Sequence, residues 1–342
     1  MNDFMTRFGS LTLDAQGRIR AARRAGAEAG ISLRKRRAWF DGVPMTRAQW
    51  ESLTNIETAL RTVWLDQIQP DTTLMGLYDV ETSQRAQEKN LGYGGLGDVP
   101  EYTGTLKFDG FEELFPATYL HKEYAKGIAL ERKLVDDEEY GVMRQRAQLS
   151  GLAFDRTVQK HAAVIFNTAF DTSAITGPDG KALCATDHPH SPSDVTPQSN
   201  RGVEPLSHDS VRTTKELMRR FQDSEGNPLN VMPDTLVVPI ELEDAARVIV
   251  ESTQRSGVAN NDINTQRGYN IVTSPFLMTD ANNWFLIDSR LARLWLHWYW
   301  RIRPEFTTDP TSDFNLVLRF RGYMRYVYGF DHWAWIYGHV VS

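Results

Sequence analysis

One local cluster of nucleophilic and metal-ligating side chains lies in a loop-rich segment, Thr172 to Ser207. It contains Cys184, Asp187, His188 and His190. Zinc sites use three or four ligands at helical or knuckle spacing, and the sequence His188-Pro-His190 does not supply that spacing. We therefore predict a turn capped by Asp187 and no metal site. A soluble enzyme that uses Cys184, His188 and His190 is kept as an alternative from another functional class.

A second pattern with chemical meaning is the glycine cluster from Gly92 to Gly97, which fits G-x-G-x-x-G. This fingerprint binds phosphate only where it follows a buried strand and opens a helix whose N-terminus faces the anion. The upstream residues SQRAQEKN are polar, and the downstream sequence leads into TGTLKF, which is an extended pattern. The sequence therefore predicts a turn here and no cofactor.

Charge is distributed unevenly along the 342 residues, whose net charge is -6. Residues 1–50 hold ten Lys and Arg against four Asp and Glu, a local charge of +6 that leaves -12 for the rest. The block Arg34, Lys35, Arg36 and Arg37 is either a solvated patch or a contact with nucleic acid or an acidic partner. Without interleaved aromatic residues or a helix-turn-helix pattern, sequence-specific DNA binding is not expected.

Composition excludes several classes of protein. The single cysteine, Cys184, excludes an internal disulfide and a multi-cysteine metal site, and it suits a reducing cytoplasm. No apolar run approaches the roughly 18 residues of a membrane span, and the N-terminus MNDFMTRFGS lacks a signal-peptide core. We expect a soluble protein with two or more subdomains.

The element expected to organise the chain is a helix predicted from Glu138 to Asp171. It is the longest uninterrupted helical pattern in the sequence, and Asp136 and Asp137 supply the N-cap oxygen and first-turn negative charge that a helix start favours. Its apolar residues recur at steps of three, four or seven and so share one face. They are Met143, Ala147, Phe154, Val158, Ala162, Ile165 and Ala169.

The elements before this helix are predicted to be a basic arm and a projecting hairpin. Thr46 to Gln67 has helical spacing, whereas Gly104 to Phe108 and Tyr119 to Leu134 have extended patterns of mixed polarity. An isolated hairpin is marginally stable in water, so such an arm is normally stabilised by another chain. An ordinary edge hairpin on a sheet is the alternative.

The elements after the helix are predicted to form a compact α/β unit and then a run of strands. The unit has helices at Ser207–Phe221, with Leu217 facing inward, and Ile240–Thr253, around a buried strand at Pro233–Pro239 and strand candidates at Tyr269–Thr273 and Trp284–Ile287. The later strands, Leu294–Arg303, Phe314–Met324 and Phe330–Tyr337, predict an antiparallel sheet that backs the helix. Three histidines among aromatic residues there are expected to be core or interface residues, namely His297, His332 and His339.

The order of these parts resembles the layout of tailed-phage major capsid proteins, a fold shared with encapsulins. Glu101 to Gly141 is similar to the hairpin-to-helix passage of Mu-type major head subunits, and Asp179 to Pro189 is similar to their loop ending in an acidic-His-Pro step. Thr235–Pro239 with Glu243–Ala246 is similar to the strand and helix nearest the capsomer centre. Asn270 to Asp288 is similar to a strand pair of many such capsid proteins.

The resemblance implies an α+β phage major capsid protein fold with an N-terminal arm, an extended E-loop hairpin, a long spine helix and an axial α/β domain. The implied parts are the arm at 1–75, the linker and E-loop hairpin at 76–135, the peripheral domain at 136–205 and 291–342, and the axial domain at 206–290.

The resemblance also implies roles for particular residues. The E-loop, roughly Gly104 to Gly127, would lie over a neighbouring subunit. Its expected interface residues are Lys107, Phe108, Phe111, Phe115, Tyr119 and Lys122. The basic residues expected to face DNA or a subunit boundary are Arg34, Lys35, Arg36, Arg37, Arg319, Arg321 and Arg325.

The implied function is that of a structural protein and no enzyme. The chain would be a major capsid subunit that self-assembles into hexamers and pentamers of an icosahedral shell around double-stranded DNA, bound without sequence specificity. Expected partners are further copies of the chain, a separate scaffolding protein and a portal, with a decoration protein as a further candidate and no membrane. Its expected location is the virion capsid, after synthesis in the host cytoplasm. An encapsulin-type shell, which encloses an enzyme in place of a genome, is the nearest alternative.

Overall fold

The computed structural model describes residues 53–68, 74–95, 99, 101–102, 104, 108, 110, 112–131, 134, 137, 140–255, 262–277, 280–308 and 317–341. The basic block at 34–37 therefore lies outside the described residues. The chain divides into two units, and residues 60–132 with 140–342 form the larger one. Of the smaller unit, 1–59 with 133–139, the structure describes residues 53–59, 134 and 137. The account below concerns the larger unit.

The helices of the described residues are α1 (Leu53–Leu65), α2 (Tyr140–Asn167), α3 (His208–Met218), α4 (Glu243–Glu251) and α5 (Ser289–Trp295), with short 3-10 helices at Met75–Leu77 and Ile240–Leu242. The strands are β1 (Asp79–Thr82), β2 (Gln87–Tyr93), β3 (Glu113–Leu120), β4 (Lys122–Glu131), β5 (His188–Pro189), β6 (Pro197–Gln198), β7 (Arg201–Gly202), β8 (Thr235–Val238), β9 (Asn270–Thr273), β10 (Trp284–Ile287), β11 (Leu296–Thr308), β12 (Val317–Phe330) and β13 (Ile336–His339). None of these helices has the length and apolar character needed to cross a membrane.

The long helix α2 buries the face that the sequence predicts. Its 28 residues span about 42 Å. It ends at Asn167, four residues before the predicted end, and the Asn167 side chain donates a hydrogen bond to the carbonyl oxygen of Phe276 at 2.8 Å. The predicted stripe is buried throughout, at Met143, Ala147, Phe154, Val158, Ala162, Ile165 and Ala169.

A four-stranded sheet in the order β1-β11-β12-β4 backs this helix. The pair β11/β12 is antiparallel, as predicted; β12 also pairs antiparallel with β4, which the sequence had placed in the hairpin, and β1 runs parallel to β11. The helix approaches the sheet closely at Gly322, where an added Cβ would lie 2.6 Å from the Phe154 ring. The Trp64 ring of α1 packs on Phe154 at 5.1 Å and on Phe306 at 5.5 Å between ring centroids. These aromatic contacts form the core between helix and sheet.

A five-stranded sheet in the order β7-β13-β10-β8-β9 forms the second core. Strands β8 and β10 are buried along their whole length, as the apolar sequence of these segments predicts. The end of α2 also reaches this sheet, because Phe166 packs on Phe285 at 5.6 Å and on Trp335 at 6.4 Å between ring centroids. The long helix therefore contacts both sheets.

Two of the predicted C-terminal strands begin elsewhere in the structure. Residues 289–295 form α5 because the Asp288 carboxylate accepts hydrogen bonds from the backbone N–H groups of Arg290 (3.0 Å) and Leu291 (3.1 Å). The predicted strand Phe330–Tyr337 is instead the end of β12, a turn and the start of β13. The capping of α3 by Ser207 is as predicted, whereas Leu217, predicted to face inward, is exposed.

Candidate functional site: a hairpin held to the sheet by Asp331

The hairpin consists of β2 and β3, which, among the described strands, pair with each other and with no third strand. Gln87 lies opposite Leu120 and Tyr93 lies opposite Glu113. The sequence predicted a hairpin over Gly104 to Gly127, and its strands were wrong. The predicted second strand is interrupted at His121, where β3 ends and β4 follows, and β4 pairs with β12 of the sheet. Residues 105–107 of the predicted first strand lie outside the described residues.

A small aromatic cluster fixes the base of the hairpin. On the inner face of β3, Ala117 and Tyr119 are buried against Tyr299 of β11 and Val327 of β12. The Tyr119 ring also lies against Gly329, and any side chain at that position would overlap the ring. Tyr119 was expected to contact a neighbouring subunit. The structure instead shows it buried in its own chain, where it anchors the hairpin.

The Asp331 carboxylate connects both strands of the hairpin to the four-stranded sheet. Its Oδ1 accepts a hydrogen bond from the Tyr119 hydroxyl, and its Oδ2 accepts one from the Asn90 side chain at 2.8 Å. The Nε2 atom of His297 in β11 also lies 2.8 Å from Oδ2. Burial acts to raise the pKa of Asp331, but the hydrogen bonds from His297 and Tyr119 outweigh it and hold that pKa below its ordinary value. The carboxylate is therefore charged at neutral pH and binds three elements together.

A second set of polar contacts holds the hairpin further from its base. The Glu112 carboxylate accepts hydrogen bonds from the hydroxyls of Ser191 (2.9 Å) and Ser193, and these bonds lower the pKa of Glu112. The backbone N–H of Gly95 donates to the Ser224 hydroxyl at 3.0 Å. These contacts leave a cavity of about 400 Å³ between hairpin and body. The hairpin is therefore attached by hydrogen bonds along its length and by apolar packing mainly at its base.

The segment between β2 and β3 presents large apolar side chains to solvent. Val99 is 96% exposed, Tyr102 is 69% exposed and Phe108 is 91% exposed. Of the other predicted interface residues, Phe115 is half-buried and lines the cavity, and Lys122 is exposed. Lys107 and Phe111 lie outside the described residues.

The predicted basic face lies on β12. Phe320 and Met324 are buried on one side of this strand, and Arg319 and Arg321 are exposed on the other. Arg325 is half-buried, with its Nε atom 3.7 Å from Glu123. The alternation that the sequence predicts is therefore present. Arg34, Lys35, Arg36 and Arg37 lie outside the described residues.

The loop that suggested enzyme chemistry is part of the core. Cys184 is fully buried, and this burial raises the pKa of its thiol well above the ordinary value. Both ring nitrogens of His188 are used within the fold: Nδ1 lies 2.6 Å from Asp179 and Nε2 lies 3.2 Å from Asn200. No nitrogen of His188 remains to activate a nucleophile.

The turn in this loop is capped by a different residue from the one predicted. The Asp179 carboxylate accepts a hydrogen bond from the backbone N–H of Lys181 at 3.1 Å, whereas Asp187 pairs with the Lys181 side chain. His190 lies 3.7 Å from the Asp194 carboxylate. Within the part of the chain that the structure describes, no three His, Cys, Asp or Glu side chains come together as metal ligands.

Of the three C-terminal histidines, His297 and His339 are buried in the core, and His332 is half-buried and lines the cavity beside the hairpin. His339 stacks on Trp284 at 4.1 Å, accepts a hydrogen bond at Nδ1 from the backbone N–H of Glu204 (3.1 Å) and lies 2.8 Å from the Thr214 hydroxyl through Nε2. Burial lowers the pKa of His339 to about 4, and likewise that of His332. His332 and His339 are therefore neutral at physiological pH.

Comparison with known families agrees with this architecture. Residues 116–338, well over half of the chain, match the family model described as phage capsid protein. This chain belongs to the phage capsid protein family. The matched range begins in β3 and ends in β13, so it covers most of the second hairpin strand, α2, Asp331 and all or most of every strand of the two larger sheets except β1. The predicted identity, a tailed-phage major capsid protein with an α+β fold, is confirmed at the level of family and fold.

Solved capsid structures are similar to this capsid protein in fold. The capsid structure of the cyanophage P-SCSP1u has a TM-score of 0.53 at 14% identity, over 78% of this chain and 86% of that one. The capsid of bacteriophage JBD30, decorated with minor capsid protein trimers, has a TM-score of 0.47 at 16% identity, over 61% and 92%. The capsid of an empty GTA particle has a TM-score of 0.48 at 13% identity, over 79% and 90%. No curated protein matches the sequence.

Sequence reasoning missed the residues that attach the hairpin. Asp331 and Asn90 are 241 positions apart, and neither lies in a motif. The one local feature that could have indicated this role is the position of Asp331, a carboxylate that directly follows the aromatic residues at the end of β12. As a capsid protein, the chain has a structural role, and its sites are surfaces and supports.

Proposed function

We propose that this capsid protein self-assembles into hexamers and pentamers of an icosahedral shell that encloses double-stranded DNA. The observation that carries the proposal is the hairpin of β2 and β3, which presents Val99, Tyr102 and Phe108 to solvent. Exposed apolar side chains grouped on one projecting element are typical of a protein interface.

The occupant of this surface is another copy of the chain. A contact between the hairpin of one copy and a different face of its neighbour is heterologous. Heterologous contacts form closed rings and shells when the rotation between copies closes. A hairpin attached by hydrogen bonds, as here at Asp331 and Glu112, can adjust its angle to the neighbour while its base stays packed.

DNA is held by charge without sequence readout in this proposal. The exposed guanidinium groups of Arg319 and Arg321 on β12 supply positive charge on a chain whose net charge is -6. Non-specific binding to phosphates scales with such local Lys and Arg. We assign the arginine face of β12 to the shell interior or to a subunit boundary. We assign the basic block at 34–37 likewise to contact with DNA or with a neighbouring subunit.

The proposed division of the subunit is the one that the resemblance implies. The arm is 1–75, the E-loop region is 76–135, the peripheral domain is 136–205 with 291–342, and the axial domain is 206–290. A separate scaffolding protein and a portal complete the proposed set of partners, with a decoration protein as a further one.

The test removes the apolar contacts of the hairpin without touching its attachment. The triple variant Val99→Ser, Tyr102→Ser, Phe108→Ser should lose about ten-fold or more of its assembled particles, because buried apolar anchors supply most of the energy of an interface. A matched control changes three exposed apolar residues elsewhere, Val195→Ser, Val203→Ser and Met232→Ser, and should assemble normally. Particle yield is measured by sedimentation and electron microscopy.

The contents of the particles separate the two kinds of shell. Nuclease-protected double-stranded DNA in the control particles supports a genome shell, whereas an enclosed protein cargo without DNA supports the encapsulin alternative. Normal assembly of the hairpin triple variant would contradict the assigned interface.

A further inference from the structure

An acidic groove lies between α4 and the start of α3. Apolar side chains of Leu206, Val248 and Ile249 line it, with a cavity of about 390 Å³. Val248 is 49% exposed at its edge, and Ile240 beside the helix start is also exposed. The apolar floor of this groove, between the two helices that accompany the five-stranded sheet, is therefore open to solvent.

Two exposed carboxylates near this groove in the sequence have no ion-pair partner among the described residues: Asp244, which lines the groove, and Glu241, three residues before it. The other carboxylates of α4, Glu243 and Glu251, are engaged by Arg247 at 2.8 and 3.3 Å. The acidic groove, defined here by Glu241, Asp244 and Val248, thus combines an apolar floor with exposed carboxylates; Asp244 interacts with Arg247 only through its charge, without an ion-pair contact.

The opposite combination lies at the far end of α3. Arg219 and Arg220 follow the last turn of this helix, both exposed and without an ion-pair partner among the described residues. Leu217, one turn before Arg220, is 39% exposed. The negative end of a helix dipole accounts for cations at this place, but it does not account for the exposed leucine. We name Leu217, Arg219 and Arg220 the basic helix end.

These two surfaces cannot meet within one copy. The groove includes Ser207 and His208 at the start of α3, and the basic helix end closes the same helix. The 11 residues of α3 separate them by about 16 Å. Two complementary surfaces on separate parts of one chain favour a head-to-tail contact between copies.

We propose that the acidic groove of one copy receives the basic helix end of the next copy around a ring. Leu217 packs against Val248, and Arg219 and Arg220 pair with Glu241 and Asp244. This inference rests on the proposed function, since the ring is the proposed hexamer or pentamer, and it specifies the contact within the axial domain. Opposite charges around an apolar centre fix the register and direction of the ring.

The test is a charge exchange in the full-length chain. The variant Arg219→Glu, Arg220→Glu and the variant Glu241→Lys, Asp244→Lys should each lose about ten-fold or more of their rings, because like charges then face each other. The four-fold variant that combines both exchanges restores opposite charges and should recover rings to within about two-fold of the unmodified protein. Rings are counted in electron micrographs, and thermal unfolding verifies that every variant is folded.

Two results would overturn the inference. One is normal ring formation by either double variant; the other is failure of the four-fold variant to recover rings although it is folded. In both cases the unmodified protein still forms rings, so the proposed function stands. Absence of rings from the unmodified protein would instead contradict the proposed function itself.

Discussion

The attachment of the hairpin depends on one carboxylate, Asp331. It accepts hydrogen bonds from Tyr119 and Asn90 on the two hairpin strands and lies against His297 of the sheet. Its charge is stabilised by these groups although its side chain is only 20% exposed. A buried carboxylate with several donors is stabilising as long as all of them remain, because each donor left unpaired in the interior costs free energy.

Replacing this carboxylate should loosen the base of the hairpin. Asp331→Asn should lower the free energy of unfolding by about 2 kcal/mol at pH 7, because an amide removes the charge and places an N–H group against other donors. Urea denaturation measures the change, and Tyr119→Phe, which removes one donor, should cost about 1 kcal/mol.

The effect of this substitution should depend on pH. Because the pKa of Asp331 is lowered in the folded protein, its stabilisation is present above the unfolded pKa of about 4 and is lost as the pH falls through the folded pKa. The difference between Asp331→Asn and the unmodified protein should therefore shrink below about pH 4. An equal difference at pH 7 and pH 3 would show that the charge of Asp331 is not the cause.

At the scale of the elements, the long helix was predictable and the hairpin strands were not. The stripe of α2 repeats over seven apolar positions, and a pattern of that length identifies a buried helical face without tertiary information. Strand β2 has the sequence QEKNLGY, and the residues on its half-buried face, Glu88, Asn90 and Gly92, are not apolar, so no apolar alternation marks it. Asp331 could not be found because its two partners on the hairpin, Asn90 and Tyr119, are more than 200 positions away in the sequence.

The close approach of α2 to the sheet gives a test at this scale. Gly322→Ala should destabilise the fold by about 2 kcal/mol, because the new methyl group would lie 2.6 Å from the Phe154 ring in a filled core. Gly127→Ala is the matched control on the neighbouring strand: its methyl group would lie 3.6 Å from the nearest atom, the carbonyl oxygen of Phe320. Urea denaturation of both variants measures the difference, and equal stability would show that α2 does not pack closely at Gly322.

At the scale of the whole molecule, the order of parts carried the identification. The sequence of arm, hairpin, long helix, α/β unit and returning strands led to the phage capsid family, and the family match over residues 116–338 confirms it. The loop at Cys184, which was kept as an enzyme alternative, has its histidine and thiol buried in structural contacts. We propose the hairpin and the two ends of α3 as the surfaces through which copies of the chain contact one another.

The most direct test of this account is electron microscopy of the purified full-length chain, combined with a measurement of particle mass. We expect rings of five or six copies and closed shells of megadalton mass. A uniform small oligomer, with neither rings nor shells across a range of protein concentrations, would contradict the assignment of this chain as a self-assembling capsid subunit.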